Sequence, residues 1–128
     1  MSPQHPKPTE AELELLSVLW ERGPSTVREI HEVVVGFKET GYTTTLKILQ
    51  KMTDKGLVVR DESKRSHVYR AAARSERTRR QLVDELIEKA FGGAAEKLVI
   101  QALSSRKVDP QEIETLRKLL DELEENSP

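Results

Sequence analysis

The first half of the chain distributes hydrophobic and polar residues with helical periodicity in three short segments. Residues 1–8 contain three prolines and no periodicity, so we expect a disordered lead-in there. The capping box at Thr9 then opens a helix with an apolar stripe made of Leu13, Leu16, Leu19 and Trp20. A second helix starts at Ser25 or Thr26 and places four apolar side chains inward, namely Val27, Ile30, Val33 and Val34. A third helix runs from about Thr43 to Lys55 and is stopped by Gly56, with an inward stripe of Thr45, Ile48, Leu49 and Met52.

The period changes from helical to extended after Gly56. Two short β-branched runs, 57–60 and 67–70, flank a polar turn and predict a hairpin. Two strands alone are marginally stable, so we expect this hairpin to lean on the helices. Three helices followed by a hairpin predict a winged helix-turn-helix domain over residues 9–73. The fold class is therefore mainly α with a small β-hairpin wing.

Residues 74–128 are predicted to form a helical arm. A helix that Ser75 can cap is expected to end at Gly92-Gly93. A second is expected from about Ala94 to Ser105, and a third from the strong start signal Asp109-Pro110 onward. The apolar stripes of these helices have too little chain to cover them, so we predict a homodimer in which a partner arm buries them. The predicted dimerisation residues are Leu82, Leu86, Ile87, Phe91, Leu98, Leu103, Ile113, Leu116, Leu120 and Leu123.

Composition restricts the class of protein. Charged residues make up 34% of the 128 residues and hydrophobic residues 36%, and no apolar run approaches the roughly 20 residues that a membrane-spanning helix needs. The absence of cysteine excludes disulfides, thiolate metal sites and cysteine nucleophiles. The N-terminus lacks the apolar core of a secretory signal. These features favour a soluble cytoplasmic protein.

The net charge of -1 conceals a segregation of charge along the chain. Residues 40–80 hold 11 Lys/Arg and 4 Asp/Glu, whereas residues 1–39 hold 4 and 7, and residues 81–128 hold 6 and 11. A basic middle between acidic ends is expected of a protein that binds nucleic acid, although clustering of solvated helix faces explains it equally well.

The third helix and the hairpin carry the candidate DNA-binding residues. With the inward stripe buried, the outward helix face shows Thr43, Thr44, Lys47, Gln50 and Lys51, side chains that suit the hydrogen-bonding groups of a major groove. Lys64 and Arg65 lie at the hairpin turn, where cations can reach phosphates. The alternative is that the threonines cap the helix while the lysines and arginines only keep the surface and the strand edge soluble.

Nothing in the sequence predicts catalysis. His5, His31 and His67 are isolated, without the helical spacing of metal ligands, and no nucleophile elbow or phosphate-binding glycine loop is present. We therefore expect no enzyme activity, no metal and no cofactor.

Several motifs together resemble one family. The segment from Tyr42 to Val58 is similar to the recognition helix and following strand of the penicillinase repressor family, the BlaI/MecI/CopY type of bacterial repressor. Residues 12–20 resemble the first helix of that family, residues 66–70 the end of its wing, and Phe91-Gly92-Gly93 followed by Leu98-Val99 its dimerisation region. The match covers about residues 9–123.

This resemblance implies a fold and a function. Family members carry a winged helix and a dimerising helical arm, bind palindromic operators as homodimers and block transcription, often of β-lactam resistance genes or of their own operons. Carried over by position, Thr43, Thr44, Lys47 and Lys51 would face the major groove, and Lys64 and Arg65 would belong to the wing.

Two departures from the family concern regulation. Copper-responsive members have a C-terminal cysteine cluster, which this chain lacks. In members that respond to β-lactams, a protease pathway cleaves an Asn-Phe bond shortly after a Leu-Val pair. The matching positions here are Gln101 and Ala102, so the segment is present but the scissile pair is not. A regulatory protease is thus a partner implied by the resemblance, and its cleavage site is left open.

Two other functions are compatible with the residues. A winged helix can use the same surface to bind a protein, and its affinity should then vary little with salt. Alternatively, residues 74–128 are the active part of a helical adaptor that does not bind DNA sequence-specifically.

Overall fold

The structure, a computed structural model, describes residues 7–128, which form six helices and a three-stranded antiparallel sheet. The elements follow one another as α1 (Glu10–Arg22), β1 (Ser25–Thr26), α2 (Val27–Val34), α3 (Tyr42–Lys55), β2 (Val58–Asp61), β3 (Val68–Ala71), α4 (Ser75–Ala90), α5 (Ala95–Ser104) and α6 (Pro110–Glu125). This architecture confirms the predicted winged helix and helical arm. Most of the predicted lead-in lies outside the described residues, but Pro8 at its end is buried.

Side-chain caps begin three of the helices as the sequence predicts. In α1, Thr9 Oγ1 accepts from the Glu12 N–H at 3.2 Å, and the Glu12 carboxylate accepts from the Thr9 N–H at 2.8 Å. Thr26 and Glu29 form the same reciprocal pair at the start of α2. Asp109 caps α6 by accepting from the Glu112 N–H at 2.9 Å. Each cap satisfies backbone donors that the first helical turn leaves without a partner.

The sheet contains one strand that the sequence analysis did not predict. Its order is β1-β3-β2, and β1 is only two residues long, with Ser25 opposite Tyr69 and Thr26 opposite Val68. A two-residue strand shows no period, so only pairing with the distant hairpin reveals it. The hairpin strands are each shifted one residue toward the C-terminus from their predicted positions.

Four residues of the predicted apolar stripes are not fully buried in the winged helix: Leu13, Trp20, Val33 and Ile48. Leu13 is only half-buried, and Leu15 and Val18 are buried instead because α1 contacts α2, α3 and β3 and so presents a broad buried arc. Val33 is 38% exposed, since it lines an open groove beside α1 rather than the core. Ile48 packs against the edge of the core and is half-buried.

Two compact units divide the chain between Leu82 and Val83, inside α4. The first unit includes the start of α4, where Thr78 is buried and the Trp20 indole N–H donates to the Ala73 carbonyl at 3.0 Å. These contacts explain why the compact unit extends past residue 73. The functional division at residues 73 and 74 into a DNA-binding and a dimerisation domain stays a prediction.

The second unit, Val83–Pro128, contains no buried residue. Its helices α5 and α6 nonetheless carry large apolar side chains, and seven of them are exposed: Val99, Ile100, Leu103, Ile113, Leu119, Leu120 and Leu123. Across residues 7–128, no helix combines the length and apolar character of a membrane span.

Candidate nucleic-acid interface

Helix α3 separates its side chains into a buried face and an exposed one. Thr45, Leu49 and Met52 are buried against the core. The opposite face brings together all five helix residues predicted from the sequence, Thr43, Thr44, Lys47, Gln50 and Lys51, and every one of them is exposed. These five side chains supply hydroxyl, amide and ammonium groups, which can hydrogen-bond to base edges and phosphates, and the Asp54 carboxylate lies on the same face near its C-terminal end.

The start of α3 excludes one alternative reading of its threonines. The helix begins at Tyr42 after Gly41, one residue earlier than predicted, and no side chain caps it. Thr43 and Thr44 therefore lie inside the first turn and do not act as the N-cap. Their exposed hydroxyls do not cap the helix, so the alternative in which these threonines serve only as caps is wrong.

Contacts with α2 and α1 hold α3 at both ends. Near its start, His31 Nδ1 lies 2.9 Å from Thr45 Oγ1, and the His31 ring meets the Tyr42 ring edge-on with centroids 5.6 Å apart. At its end, Lys55 Nζ donates to Glu12 Oε1 at 2.5 Å. These contacts at the two ends of α3 fix the orientation of its exposed face relative to the rest of the winged helix.

The Glu12 carboxylate is nearly inaccessible, with 3% of the residue exposed. Burial raises the pKa of Glu12, but hydrogen bonds from Lys55 and Thr9 outweigh it and hold the pKa below the ordinary value of 4.5. The carboxylate is thus charged and paired in the folded protein.

The wing presents Lys64 and Arg65 on an exposed turn. A third cation, Arg60, is engaged within the hairpin: it pairs with Glu62 at 2.8 Å. Hydrogen bonding with Tyr69 and the charge of Glu62 raise the pKa of Arg60. This pairing removes Glu62 as a free anion near the wing tip.

A second acidic group of the wing is also satisfied locally. The Asp61 carboxylate accepts from the Ser63 N–H at 2.9 Å. Hydrogen bonds from Ser63, with smaller effects from the charges of Lys64 and Arg70, hold the pKa of Asp61 below its ordinary value. The acidic side chains therefore order the turn that carries the predicted cations.

A groove of about 380 Å³ lies between the starts of α2 and α3 and the wing. Arg65 lines it, whereas Lys64 does not. Sequence reasoning missed two further residues of this groove, Arg28 and Tyr42. A single cation on a helix and a single aromatic residue at a helix start carry no periodic signal, so only spatial proximity identifies them.

The predicted dimerisation residues are accessible to different degrees. Leu86, Leu103, Ile113, Leu120 and Leu123 are exposed, while Leu82, Ile87, Phe91, Leu98 and Leu116 are half-buried. Within the second unit, Leu103, Ile113, Leu116 and Leu120 line one apolar groove of about 320 Å³. Among the described residues, no group of histidine and carboxylate side chains could hold a metal ion.

Comparisons with known proteins identify the family. The family profile described as Penicillinase repressor matches residues 8–122. The transcriptional regulator BlaI of Mycobacterium tuberculosis, found in two strains, is 32% identical over 108 residues, which cover 83% of this chain and 77% of that protein. A penicillinase repressor of Staphylococcus aureus is 20% identical over 113 residues, covering 88% of this chain and 90% of that protein. Since the profile spans nearly the whole described chain, including α3, the wing and the arm, this protein belongs to the penicillinase repressor family.

Proposed function

We propose that this protein is a repressor that binds a palindromic operator as a homodimer and blocks transcription in the bacterial cytoplasm. Its family consists of transcriptional repressors and not of enzymes, so the protein is a DNA-binding regulator of the BlaI type. The homodimer, the palindromic operator and the residues that contact DNA are the finer parts of the proposal.

The exposed face of α3 is the observation that carries the DNA-binding part. Five polar side chains without negative charge share it, and Asp54 near its C-terminal end is the acidic side chain on this face. In the neighbouring wing, Glu62 forms an ion pair with Arg60, and the Asp61 carboxylate accepts from the Ser63 N–H. Lys64 and Arg65 therefore remain available for phosphates. We assign base and phosphate contacts to Thr43, Thr44, Lys47, Gln50 and Lys51, and backbone contacts to Lys64 and Arg65.

The lack of a buried residue in the second unit supports the homodimer. The exposed leucines of this unit have 38% to 64% of their surface accessible. A second copy that covers them stabilises the unit by about 25 cal/mol for each Å² of apolar surface buried. A two-fold dimer presents two identical reading helices, which match two inverted half-sites spaced by whole turns of DNA. Self-association through the arm therefore predicts the palindrome.

We include a regulatory protease among the proposed partners. Gln101 and Ala102 are exposed on α5, where the family segment is cut. A protease binds its substrate in an extended form, so α5 has to unwind locally before any bond within it is cut. An intact mass of the protein recovered from induced cells would identify the bond.

The proposed function is tested by selecting genomic DNA fragments with the purified protein at low and physiological salt. Enrichment of a two-fold symmetric site near promoters is expected, with log affinity falling steeply against log salt. A Lys47→Ala, Lys51→Ala variant should lose the enrichment, whereas Lys38→Ala, which removes a cation paired with Glu14, should keep it. If the folded protein enriches no fragment, the proposal fails and a protein-binding role for the winged helix replaces it.

A further inference from the structure

Two guanidinium groups and an imidazole from two separate parts of the chain line the groove between α2, α3 and the wing. Arg28 belongs to the first turn of α2, and Arg65 and His67 belong to the wing. All three are exposed. The groove is distinct from the outward face of α3, because Lys47, Gln50 and Lys51 do not line it.

The acidic group nearest to Arg28 in sequence does not neutralise it. Glu29 accepts from the Thr26 N–H at 2.9 Å and pairs with Arg22 at 2.7 Å. The Thr26 backbone hydrogen bond, together with the hydrogen bonds of Arg22 and the Thr26 side chain, lowers the pKa of Glu29 to about 2. Among the described residues, no carboxylate forms an ion pair with Arg28, so its guanidinium is available to an anion.

Tyr42 forms one wall of the groove in a fixed orientation. It is 48% exposed, but its ring rests edge-on against His31, which is itself held by Thr45. The groove thus combines a positioned aromatic hydroxyl with two guanidinium groups and an imidazole. Each of these groups donates hydrogen bonds, and an imidazole keeps at least one N–H donor in either protonation state.

We propose that this groove binds one phosphodiester group of the DNA backbone in each half-site. Guanidinium groups bind phosphate oxygens bidentately, which suits Arg28 and Arg65 on two sides of the groove. Tyr42 and His67 then donate to the remaining oxygens. The contact rests on the proposed function, since it adds to the α3 face a sequence-independent clamp that sets how α3 enters the major groove.

The test uses a fluorescently labelled duplex of about 30 base pairs with random sequence, because phosphate contacts do not depend on sequence. Binding of the full-length protein is measured across a salt series for the wild type, Arg28→Gln and Arg28→Lys. Lys38→Gln is the matched control: it removes one exposed cation that is paired with Glu14 and does not line the groove.

Arg28→Gln should weaken binding about tenfold and reduce the slope of log affinity against log salt by about 0.9 for each copy bound. Arg28→Lys should keep the slope and lose only part of the affinity, because it keeps the charge but not the planar fork. Lys38→Gln should leave the slope unchanged. An Arg28→Gln slope equal to that of the wild type would overturn the clamp.

Failure of the clamp and failure of the proposed function give different results. If Arg28→Gln binds like the wild type while Lys47→Ala loses affinity, the clamp is wrong and DNA binding by α3 stands. If the wild type binds the duplex weakly and without salt dependence, both are wrong.

Discussion

Replacing Glu12 by glutamine tests the contact that ties α1 to the far end of the recognition helix. Glu12 is 3% exposed, accepts from Lys55 at 2.5 Å and completes the capping box with Thr9. Glutamine has nearly the same shape and can still accept from the Thr9 N–H, so the substitution removes mainly the negative charge that faces Lys55.

The expected loss follows from the geometry of the pair. A hydrogen bond to a charged group contributes about 1.5–3 kcal/mol, and a pair in which one side is partly solvated contributes less. The Lys55 side chain is 34% exposed and can return to water, so we expect Glu12→Gln to lower the free energy of unfolding by about 1–2 kcal/mol. Glu12→Ala should cost about 1 kcal/mol more, because it also removes the side-chain acceptor of the Thr9 N–H.

The assay is urea unfolding followed by the fluorescence of Trp20, the single tryptophan, at one fixed protein concentration. Glu10→Gln is the control, since it removes an exposed carboxylate from the same helical turn. The folded pKa of Glu12 lies below its unfolded value. Its stabilising contribution is therefore complete above about pH 4.5 and is lost as the pH falls through the folded pKa.

The difference between wild type and Glu12→Gln should consequently be complete above about pH 4.5 and shrink as the pH falls below that value. Two results would refute the reasoning. One is a Glu12→Gln protein as stable as Glu10→Gln at neutral pH, and the other is a difference that does not change with pH.

Three further predictions concern the arm, the reading helix and the tryptophan. Leu120 is 64% exposed, so Leu120→Asp should weaken self-association at least tenfold, which corresponds to about 1.4 kcal/mol or more. Sedimentation measures this change, and an unchanged dimer would exclude Leu120 from the interface. Lys47→Ala should reduce the salt slope of operator binding by about one if Lys47 contacts phosphate, or lose about 1–3 kcal/mol at a single base pair if it reads a base; normal binding would remove Lys47 from the site. Trp20→Phe removes the 3.0 Å hydrogen bond to the Ala73 carbonyl and should lower the free energy of unfolding by about 0.5–1.5 kcal/mol. Urea unfolding followed by circular dichroism measures this change, and an unaltered midpoint would show that this bond is not stabilising.

Short-range patterns predicted the elements well. The boxes at Thr9 and Thr26 and the Asp109-Pro110 start are confirmed, because each depends on residues three positions apart that meet in any helix. The exposed face of α3 was predictable for the same reason. By contrast, β1 escaped prediction because its two residues become a strand only by pairing with Val68 and Tyr69.

Burial was harder to predict than helicity. A helical period shows which residues share a face, but the width of the buried arc depends on how many neighbours cover the helix. α1 has three neighbours and buries Leu15 and Val18, whereas Val33 of α2 borders an open groove. The cap alternative for Thr43 failed for a related reason, since Gly41 rather than a threonine precedes the first turn.

The sequence by itself determined the order of the helices and the hairpin, the caps, the polar face of α3 and the family, since these depend on neighbouring residues and on motif spacing. Only the tertiary structure decided which charges meet. Lys55 pairs with Glu12 although 43 residues separate them in the chain, and Arg28 and Arg65 line one groove. Arg60 forms an ion pair with Glu62, whereas Lys64 stays exposed. Electrostatic interactions depend on distance in space and on burial, and neither quantity can be calculated from the chain until the helices and the sheet have packed.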